Sequence, residues 1–287
     1  MSNASIRIEQ LMLPTYPEPG KEEMPLFSEH RVHQRSTGRP YPNKVVLEVN
    51  RERKIERSYT VVHLENEYLD VLVLPEIGGR IFAARDKVTD YDFFYRQHVI
   101  KPGLIGALGS WISGGVEFNW PYHHRPSGFL PCDFETEECG DGSVICWLSE
   151  HDPIDRMKGM VGIVLKPGCA YLETRVKLCN RTPVTKSFLW WENAAVPVNE
   201  SYQIFFPKDV TYVNFHYLDS RISYPIAGDA TFNGIDMTTP RDISWHRNTK
   251  DATSYFACAS QYDFFGGYDH GLDCGVVHIG DHHVSPG

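Results

Sequence analysis

The chain lacks the features that mark membrane, nucleic-acid-binding and disulfide-rich proteins. It has no run of eighteen apolar residues and no basic-then-apolar signal at its start, so no segment is expected to enter a membrane. It also has no run of Lys or Arg, and its formal net charge is -9, which argues against a nucleic-acid partner. Its 7 cysteines form no CxxC pair, so we expect a reduced, cytoplasmic protein without a disulfide framework or zinc knuckle.

Several catalytic and cofactor-binding motifs are missing as well. No G-x-S-x-G nucleophile elbow occurs, and the glycine pairs at 78–79, 114–115 and 266–267 precede no helical pattern, so they do not form a phosphate-binding fingerprint. No repeat of fixed period is present, which disfavours propellers and solenoids. No stretch of a dozen residues keeps apolar positions at helical spacing without Gly or Pro inside it. We therefore expect little α-helix and no cofactor.

What the chain does contain is a long series of strand patterns. Strands are predicted at 59–65, 68–74 and 80–86, separated by an Asn-Glu turn and by the turn PEIGG. Similar patterns continue toward the end of the chain, and the candidates are too many for one small sandwich. The sequence therefore predicts an all-β fold, a large antiparallel two-sheet sandwich with few helices.

The N-terminal segment differs in composition from the rest. Prolines recur from Pro14 to Pro42, which forbids long helices and central strands there. Residues 1–43 are therefore predicted to form an extended Pro-rich arm, in which Ser2-Asn3-Ala4 resembles the remnant of an expression tag. The sandwich is predicted to be a single domain at 44–287.

The segment GGVEFNWPYHHRP, residues 114–126, places polar residues among aromatic ones. On a strand, Val116, Phe118 and Trp120 share one face, and Glu117 and Asn119 share the other. This alternation predicts one face that packs and one that presents a carboxylate and an amide to a ligand, with a solvated outer face as the alternative.

The residues that follow extend the same candidate site. His123 and His124 are adjacent, so on an extended chain they point opposite ways, and at most one faces the same cleft as Glu117. Arg125 comes next. A half-buried Glu117 would have a pKa raised toward the working range, which makes it the candidate catalytic carboxylate. His124 or His270 is its candidate proton-transfer partner.

A second cluster is FLWWENAAVPVN, residues 188–199. Trp191, Glu192 and Asn193 combine an indole ring with a carboxylate and an amide. An indole face takes the apolar face of a pyranose, and the acid and amide hold its hydroxyls, so the cluster is typical of sugar binding. The alternative is that both Trp190 and Trp191 belong to the core, and strand alternation favours one inside and one outside.

The densest ionisable patch lies at 264–287. Its members are Tyr268, Asp269, His270, His278, Asp281, His282 and His283. His278 and His282 fall on one strand face, but four residues along a strand span about 13 Å, too far for one metal ion unless the chain bends. The sequence thus predicts no metal, and a metal-dependent enzyme stays an alternative.

Taken together, these motifs resemble a known group of proteins. LPEIGGRIFAARDKVTDYDFFY and GGYDHG are similar to segments of galactose mutarotase-like proteins. SGGVEFNWP, WWENAAVPVN and VHIGDHHVSPG together resemble an uncharacterised bacterial family of that superfamily, whose members often carry this domain ahead of tetratricopeptide repeats. The resemblance implies the mutarotase supersandwich over 44–287, with a broad sheet cleft that binds carbohydrate.

From these observations we predict a carbohydrate-binding protein with acid/base chemistry at an anomeric carbon, as in an epimerase or a glycoside-processing enzyme. The predicted catalytic residues are Glu117, His124 and His270. The predicted substrate-binding residues are Arg80, Trp111, Asn119, His123, Arg125, Trp191, Glu192, Asn193, Tyr268, Asp269, Asp281 and His282.

Two departures from the resemblance keep alternatives open. Mutarotases carry a T-N-H segment with the general-acid histidine where this chain reads Trp190-Trp191-Glu192-Asn193. Their base, a late glutamate, is expected beyond residue 287, so either the chain is a fragment or its base comes from elsewhere. A non-catalytic carbohydrate-binding module is therefore the main alternative. A metal-dependent cupin-like enzyme using His278, His282 or His283 is the other.

Overall fold

The computed structural model of the protein describes residues 3–17, 50–104, 110–121, 125, 127–153, 156–215, 221–228, 231–232, 235–236, 239–249, 254–257 and 260–284. Within these ranges the protein is all-β and its sheets are antiparallel, which confirms the predicted fold class. The helical content there is one 3-10 turn, His246–Asn248. No helix in the same ranges has the length and hydropathy that a membrane span requires.

The chain divides into two compact units, which we call unit 1 (Met1–Val196) and unit 2 (Pro197–Gly287). The predicted single domain at 44–287 stays a prediction. In unit 1 the strands are β1 (Ser5–Thr15), β2 (Ile55–Glu65), β3 (Leu69–Leu74), β4 (Arg80–Asp86), β5 (Tyr91–Asp92), β6 (Gly103–Leu104), β7 (Ser110–Trp111), β8 (Val116–Asn119), β9 (Asp133–Glu138), β10 (Val144–His151), β11 (Met157–Leu165), β12 (Leu172–Asn180) and β13 (Trp191–Ala194).

Most strands of unit 1 form two sheets. The larger sheet has the order β1-β2-β3-β4-β8-β13, with β5 paired to β4, and the smaller has the order β12-β11-β10-β9. The turn between β2 and β3 is closed by Asn66, whose side-chain oxygen accepts the backbone N–H groups of Tyr68 and Leu69. The predicted strands 59–65, 68–74 and 80–86 therefore correspond closely to β2, β3 and β4.

The two sheets of unit 1 pack face to face as a sandwich. Phe118 of the larger sheet and Leu148 and Val161 of the smaller sheet line one small void between them. The Trp120 ring lies against the smaller sheet at Gly159, where an added Cβ would come within 2.3 Å of the ring. A side chain at residue 159 would therefore push the sheets apart.

The start of the chain is a strand of the larger sheet. Residues Ser5–Thr15 form β1, which pairs with β2 along its whole length as an edge strand. The sequence predicted an extended arm here, because prolines recur from Pro14 onward. The segment before Pro14 contains none, and Pro14 itself lies near the end of an edge strand, where a missing N–H is tolerated.

Unit 2 is built from shorter strands. They are β14 (Tyr202–Phe205), β15 (Tyr212–Phe215), β16 (Arg221–Ser223), β17 (Ile226–Ala227), β18 (Thr231–Phe232), β19 (Ile235–Asp236), β20 (Arg241–Asp242), β21 (Tyr255–Ala257), β22 (Phe264–Asp269) and β23 (Cys274–Ile279). Two three-stranded sheets have the orders β14-β22-β23 and β16-β15-β21. Val213, Ile222 and Ile243 contribute to a buried apolar cluster of this unit.

Candidate functional site

Three polar side chains form a row across three neighbouring strands of the larger sheet. Ile81 pairs with Val116, so the antiparallel register sets Arg80 opposite Glu117. Glu117 in turn pairs with Asn193. Paired residues point to the same face, so the three side chains lie side by side. We call them the polar row.

The polar row passes from the interior to the surface. Arg80 is 2% exposed and Glu117 is 5% exposed, whereas Asn193 is exposed. The Asn193 side-chain amide donates to a Glu117 carboxylate oxygen at 3.4 Å. A ligand that contacts Asn193 would therefore lie next to the buried charges.

A second pair of residues lies beside the polar row on the same face. Asn119 pairs with Trp191 across β8 and β13, two residues along from the pair of Glu117 and Asn193. Asn119 is fully buried, and its side-chain oxygen accepts the backbone N–H of Arg125 at 2.9 Å. Trp191 is half-buried. The face therefore combines an indole, two amides, a carboxylate and a guanidinium.

Strand β8 is more deeply buried than alternation alone predicts. All four of its residues are buried, so the solvated outer face considered for Glu117 is not what the structure has. The chain around Gly128 lies over the carboxylate, because a Cβ added at Gly128 would sit 3.3 Å from a Glu117 oxygen. Gly78 makes room for this crossing, since its own Cβ would be 2.2 Å from the Gly128 carbonyl.

Arg80 is a buried charged residue, and its guanidinium has more N–H groups than the described residues accept hydrogen bonds from. One terminal nitrogen donates to the carbonyls of Ile112 and Gly114, the latter at 2.9 Å. Its Nε and its other terminal nitrogen are buried and have no hydrogen-bond partner among the residues that the structure describes. Burial lowers the pKa of Arg80 to about 10, although the Glu117 carboxylate nearby acts to raise it. The guanidinium is still charged at neutral pH.

Arg125, a predicted substrate-binding residue, makes structural contacts. One terminal nitrogen lies 2.8 Å from a carboxylate oxygen of Glu150, and the other donates to the Gly78 carbonyl. Its guanidinium carbon lies 5.8 Å from the centre of the Trp120 ring. The adjoining void between the sheets measures about 10 Å³, room for one water at most. Arg125 therefore ties its segment to both sheets.

The other predicted residues of unit 1 take different positions. Trp190 stacks on Phe118, with ring centres 6.2 Å apart, so Trp190 and Trp191 point to opposite faces as alternation predicts. Glu192 pairs with Phe118 and thus lies on the face away from the polar row. Trp111 is half-buried on β7. His123 and His124 lie outside the described residues.

In unit 2, Asp269 closes a turn. It is 1% exposed, and one carboxylate oxygen accepts the backbone N–H groups of Gly271 and Leu272 at 2.8 and 3.2 Å. Its other oxygen accepts the Asn199 side-chain amide. Both carboxylate oxygens therefore have hydrogen-bond donors within the protein, and these bonds stabilise the turn after β22.

His270 lies next to Asp269 but on the surface. Its Nε2 is 2.9 Å from the Gln203 side-chain oxygen. Its ring stacks on Trp245 at 4.9 Å between centres and meets the edge of Tyr268 at 5.0 Å. The Tyr268 hydroxyl donates to Asp273. The imidazole is thus oriented by a local aromatic cluster of unit 2.

A further cluster of unit 2 has the composition of a metal site. Ligand atoms of Asp263, Asp281 and His282 lie within 4.8 Å of one another, and the two carboxylates are exposed. His282 Nδ1 lies 2.7 Å from a carboxylate oxygen of Asp263, and hydrogen bonds from His282 lower the pKa of Asp263. His278, which sequence spacing had grouped with His282, instead lies against Phe265 with ring centres 5.1 Å apart.

Sequence reasoning missed Glu150, the partner of Arg125. A signal was present, because residues 144, 146 and 148 of β10 are buried and Glu150 continues that inward-facing series. A carboxylate at an inward-facing strand position indicates a buried ion pair.

Comparisons with known proteins place the chain among relatives. A family model described as a domain of unknown function, DUF5107, matches residues 37–287. Among solved structures, the chain is similar to a TPR-domain containing protein from Parabacteroides distasonis ATCC 8503, with a TM-score of 0.78 at 22% identity. The match covers 98% of this chain and 44% of that one, so the chain spans less than half of that protein. At this identity the likeness shows a shared fold.

Proposed function

Because the chain belongs to the DUF5107 family, whose function its description leaves open, we propose a function from the site: unit 1 binds a carbohydrate at the polar row. The observation that carries the proposal is the buried pair of Arg80 and Glu117, which continues to the exposed Asn193 beside Trp191. A sugar at this open end would stack on the indole and give hydroxyls to the amide and the carboxylate.

Burial of the two charges supports a functional role for the row. Removing a guanidinium and a carboxylate from water is costly, and replacing such a pair by apolar residues is often neutral or stabilising. At buried strand positions under no other demand, apolar side chains would often serve stability as well as this pair or better. Perturbed charges gathered in one place are characteristic of functional sites, although structural ion pairs share the property.

The sequence motifs support the same ligand class. Their resemblance to galactose mutarotase-like proteins implies a supersandwich with a carbohydrate cleft, and Arg80 lies in the P-x-x-G-G-R-I segment that carries part of that resemblance. The similar solved protein contains a TPR domain, so we propose that this domain adjoins tetratricopeptide repeats in a longer natural chain.

If the protein is an enzyme, Glu117 acts as the proton acceptor. Its carboxylate lies near the buried, positively charged Arg80, and a carboxylate is a group type that takes a proton in acid/base catalysis. Chemistry at an anomeric carbon needs a second group to donate a proton. His124, the candidate donor closest in sequence, lies outside the described residues, and His270 belongs to unit 2.

The same observation favours a second candidate, a non-catalytic binding module. A carboxylate near the positive charge of Arg80 is a good acceptor for sugar hydroxyls whether or not it transfers a proton. The two candidates share the binding site and differ in turnover alone.

Calorimetry on sugars selected from a glycan array tests the proposal. Asn193→Ala removes a polar contact at the open end and should weaken binding about tenfold. Glu192→Gln is the matched control, because its side chain lies on the other face of the same strand and should leave affinity unchanged. Absence of binding by any mono- or oligosaccharide at about millimolar concentration, the weak end of specific affinities, would overturn it.

A further inference from the structure

The outer face of the smaller sheet carries a groove that no part of the proposed function uses. It is open, measures about 490 Å³ and crosses strands β9 to β12. This volume lies within the range of small-molecule sites. Its lining includes Asp133, Glu135, Glu137, Trp147, Lys158 and Lys177.

The floor of the groove is a tryptophan ring held in one orientation. The Trp147 indole N–H donates to Glu137 at 2.7 Å. The ring lies directly on the backbone of Gly162, where an added Cβ would come within 2.7 Å of it. Gly in a strand interior weakens the strand and often marks a site of close approach. The geometry therefore presents a flat, oriented aromatic surface in the groove.

The two sides of the groove carry opposite charges. Asp133 and Glu135 on β9 form an acidic side, and they pair with Ser149 and Trp147 on β10. Lys158 on β11 and Lys177 on β12 form a basic side, and the Lys177 ammonium lies 4.9 Å from the centre of the Trp147 ring. An anionic or a cationic ligand would meet like charge on one side.

We propose that this groove is a second carbohydrate site, which takes one ring of a neutral oligosaccharide on the face of Trp147. Each sugar hydroxyl both donates and accepts a hydrogen bond, so it can donate to Asp133 or Glu135 and accept from Lys158. Lys177 is exposed and its ammonium lies over the ring, so its long side chain must move aside for the sugar to stack there. The site is separate from the polar row and does not depend on the function proposed for that row.

The test uses the intact chain and a panel of neutral hexasaccharides (cello-, xylo-, manno- and maltohexaose). Binding is measured by calorimetry and by the NMR shift of the Trp147 indole N–H, assigned from its loss in Trp147→Phe. We expect one hexasaccharide to shift this resonance, and Trp147→Ala to weaken its binding about tenfold or more, as for a central aromatic contact.

Variants at the rim of the groove test the site without disturbing the core, so a loss of binding in them does not come from unfolding. Glu135→Gln and Lys158→Ala change exposed or half-exposed side chains, and each should weaken binding severalfold. Glu138→Gln changes a residue at the end of the same strand β9 and outside the groove, and should leave the affinity for the hexasaccharide unchanged. Binding that is lost in Asn193→Ala but unchanged in Trp147→Ala would overturn the second site while keeping the first. An indole shift produced by extended peptides and by none of the sugars would also overturn it.

Discussion

Units 1 and 2 each bury a carboxylate that the sequence marks as a candidate ligand group, and they use it differently. Asp269 of unit 2 stands at the end of β22 and accepts two backbone N–H groups and one amide. Glu117 of unit 1 stands inside β8, between Arg80 and Asn193 on the neighbouring strands. One carboxylate shapes a turn, and the other belongs to a row of polar side chains on a sheet.

The difference shows that position in a strand decides what a buried acid does. At the end of a strand, the following backbone N–H groups turn toward the side chain and satisfy it locally. Within a strand those groups are committed to the ladder, so the acid must be satisfied by residues from other strands. Glu117 therefore depends on tertiary partners, and such partners can be shared with a ligand.

Breaking the buried charge pair should give the largest effect. Arg80→Met leaves Glu117 buried without its nearby cation and should lower the free energy of unfolding by about 3–5 kcal/mol. Arg85→Met, on the same strand, removes an ion pair with Asp90 in which both side chains are at least half exposed, and should cost less than about 1 kcal/mol. Urea denaturation followed by fluorescence compares the two, and equal losses would contradict the assignment of a buried pair.

The next largest effect concerns chemistry. Glu117→Gln keeps size and hydrogen bonding but removes the charge, so on an identified substrate it should lower turnover about a hundredfold or more while sugar binding persists. Steady-state kinetics and calorimetry on the same preparation provide the measurement. A wild-type protein that binds the sugar without any turnover would favour the binding module. Unchanged turnover in the variant would make Glu117 a binding or structural residue.

The corresponding change in unit 2 should act on stability alone. Asp269→Asn replaces an acceptor oxygen by an amide that faces the Asn199 amide, so a charge-assisted hydrogen bond is lost at a cost of about 1.5–3 kcal/mol. Sugar affinity at the polar row should stay at the wild-type value. A loss of affinity without a loss of stability would reverse the roles assigned to the two carboxylates.

The smallest expected effect concerns Glu65, a carboxylate that is paired with basic side chains but is not buried. Hydrogen bonds from Lys87 and Arg7 lower the pKa of Glu65 to about 2. Its folded pKa is below its unfolded value, so it stabilises the fold above about pH 4.5, and this contribution is lost as the pH falls toward 2. Because the side chain is a third exposed, the contribution should be under about 1 kcal/mol.

Paired urea titrations measure this contribution. Wild type and Glu65→Gln should differ in unfolding free energy near neutral pH and converge in acid. Glu56→Gln, an exposed position on the same strand, serves as the control and should track wild type throughout. If the difference in unfolding free energy grew as the pH fell, the predicted direction of the pH dependence would be wrong.

Much of the fold could be predicted from the sequence, and less of the site. Strands β2 to β4 follow from alternation and turn residues, and the all-β class follows from many such patterns. Strand β1 was missed because the prolines from Pro14 onward dominated the composition of residues 1–43. The sequence also did not predict that the segment around Gly128 lies over Glu117. Contacts between segments that are distant in the chain leave no periodic pattern in the sequence.

The sequence by itself determined which residues share a strand face: Glu117 with Asn119, and Trp191 with Asn193. That relation is local, because side chains alternate along any strand. The tertiary structure alone decided that both pairs lie on one face and in register with Arg80. Register joins strands that are far apart in the chain, and it is set by the packing and hydrogen bonding of whole sheets rather than by any local pattern.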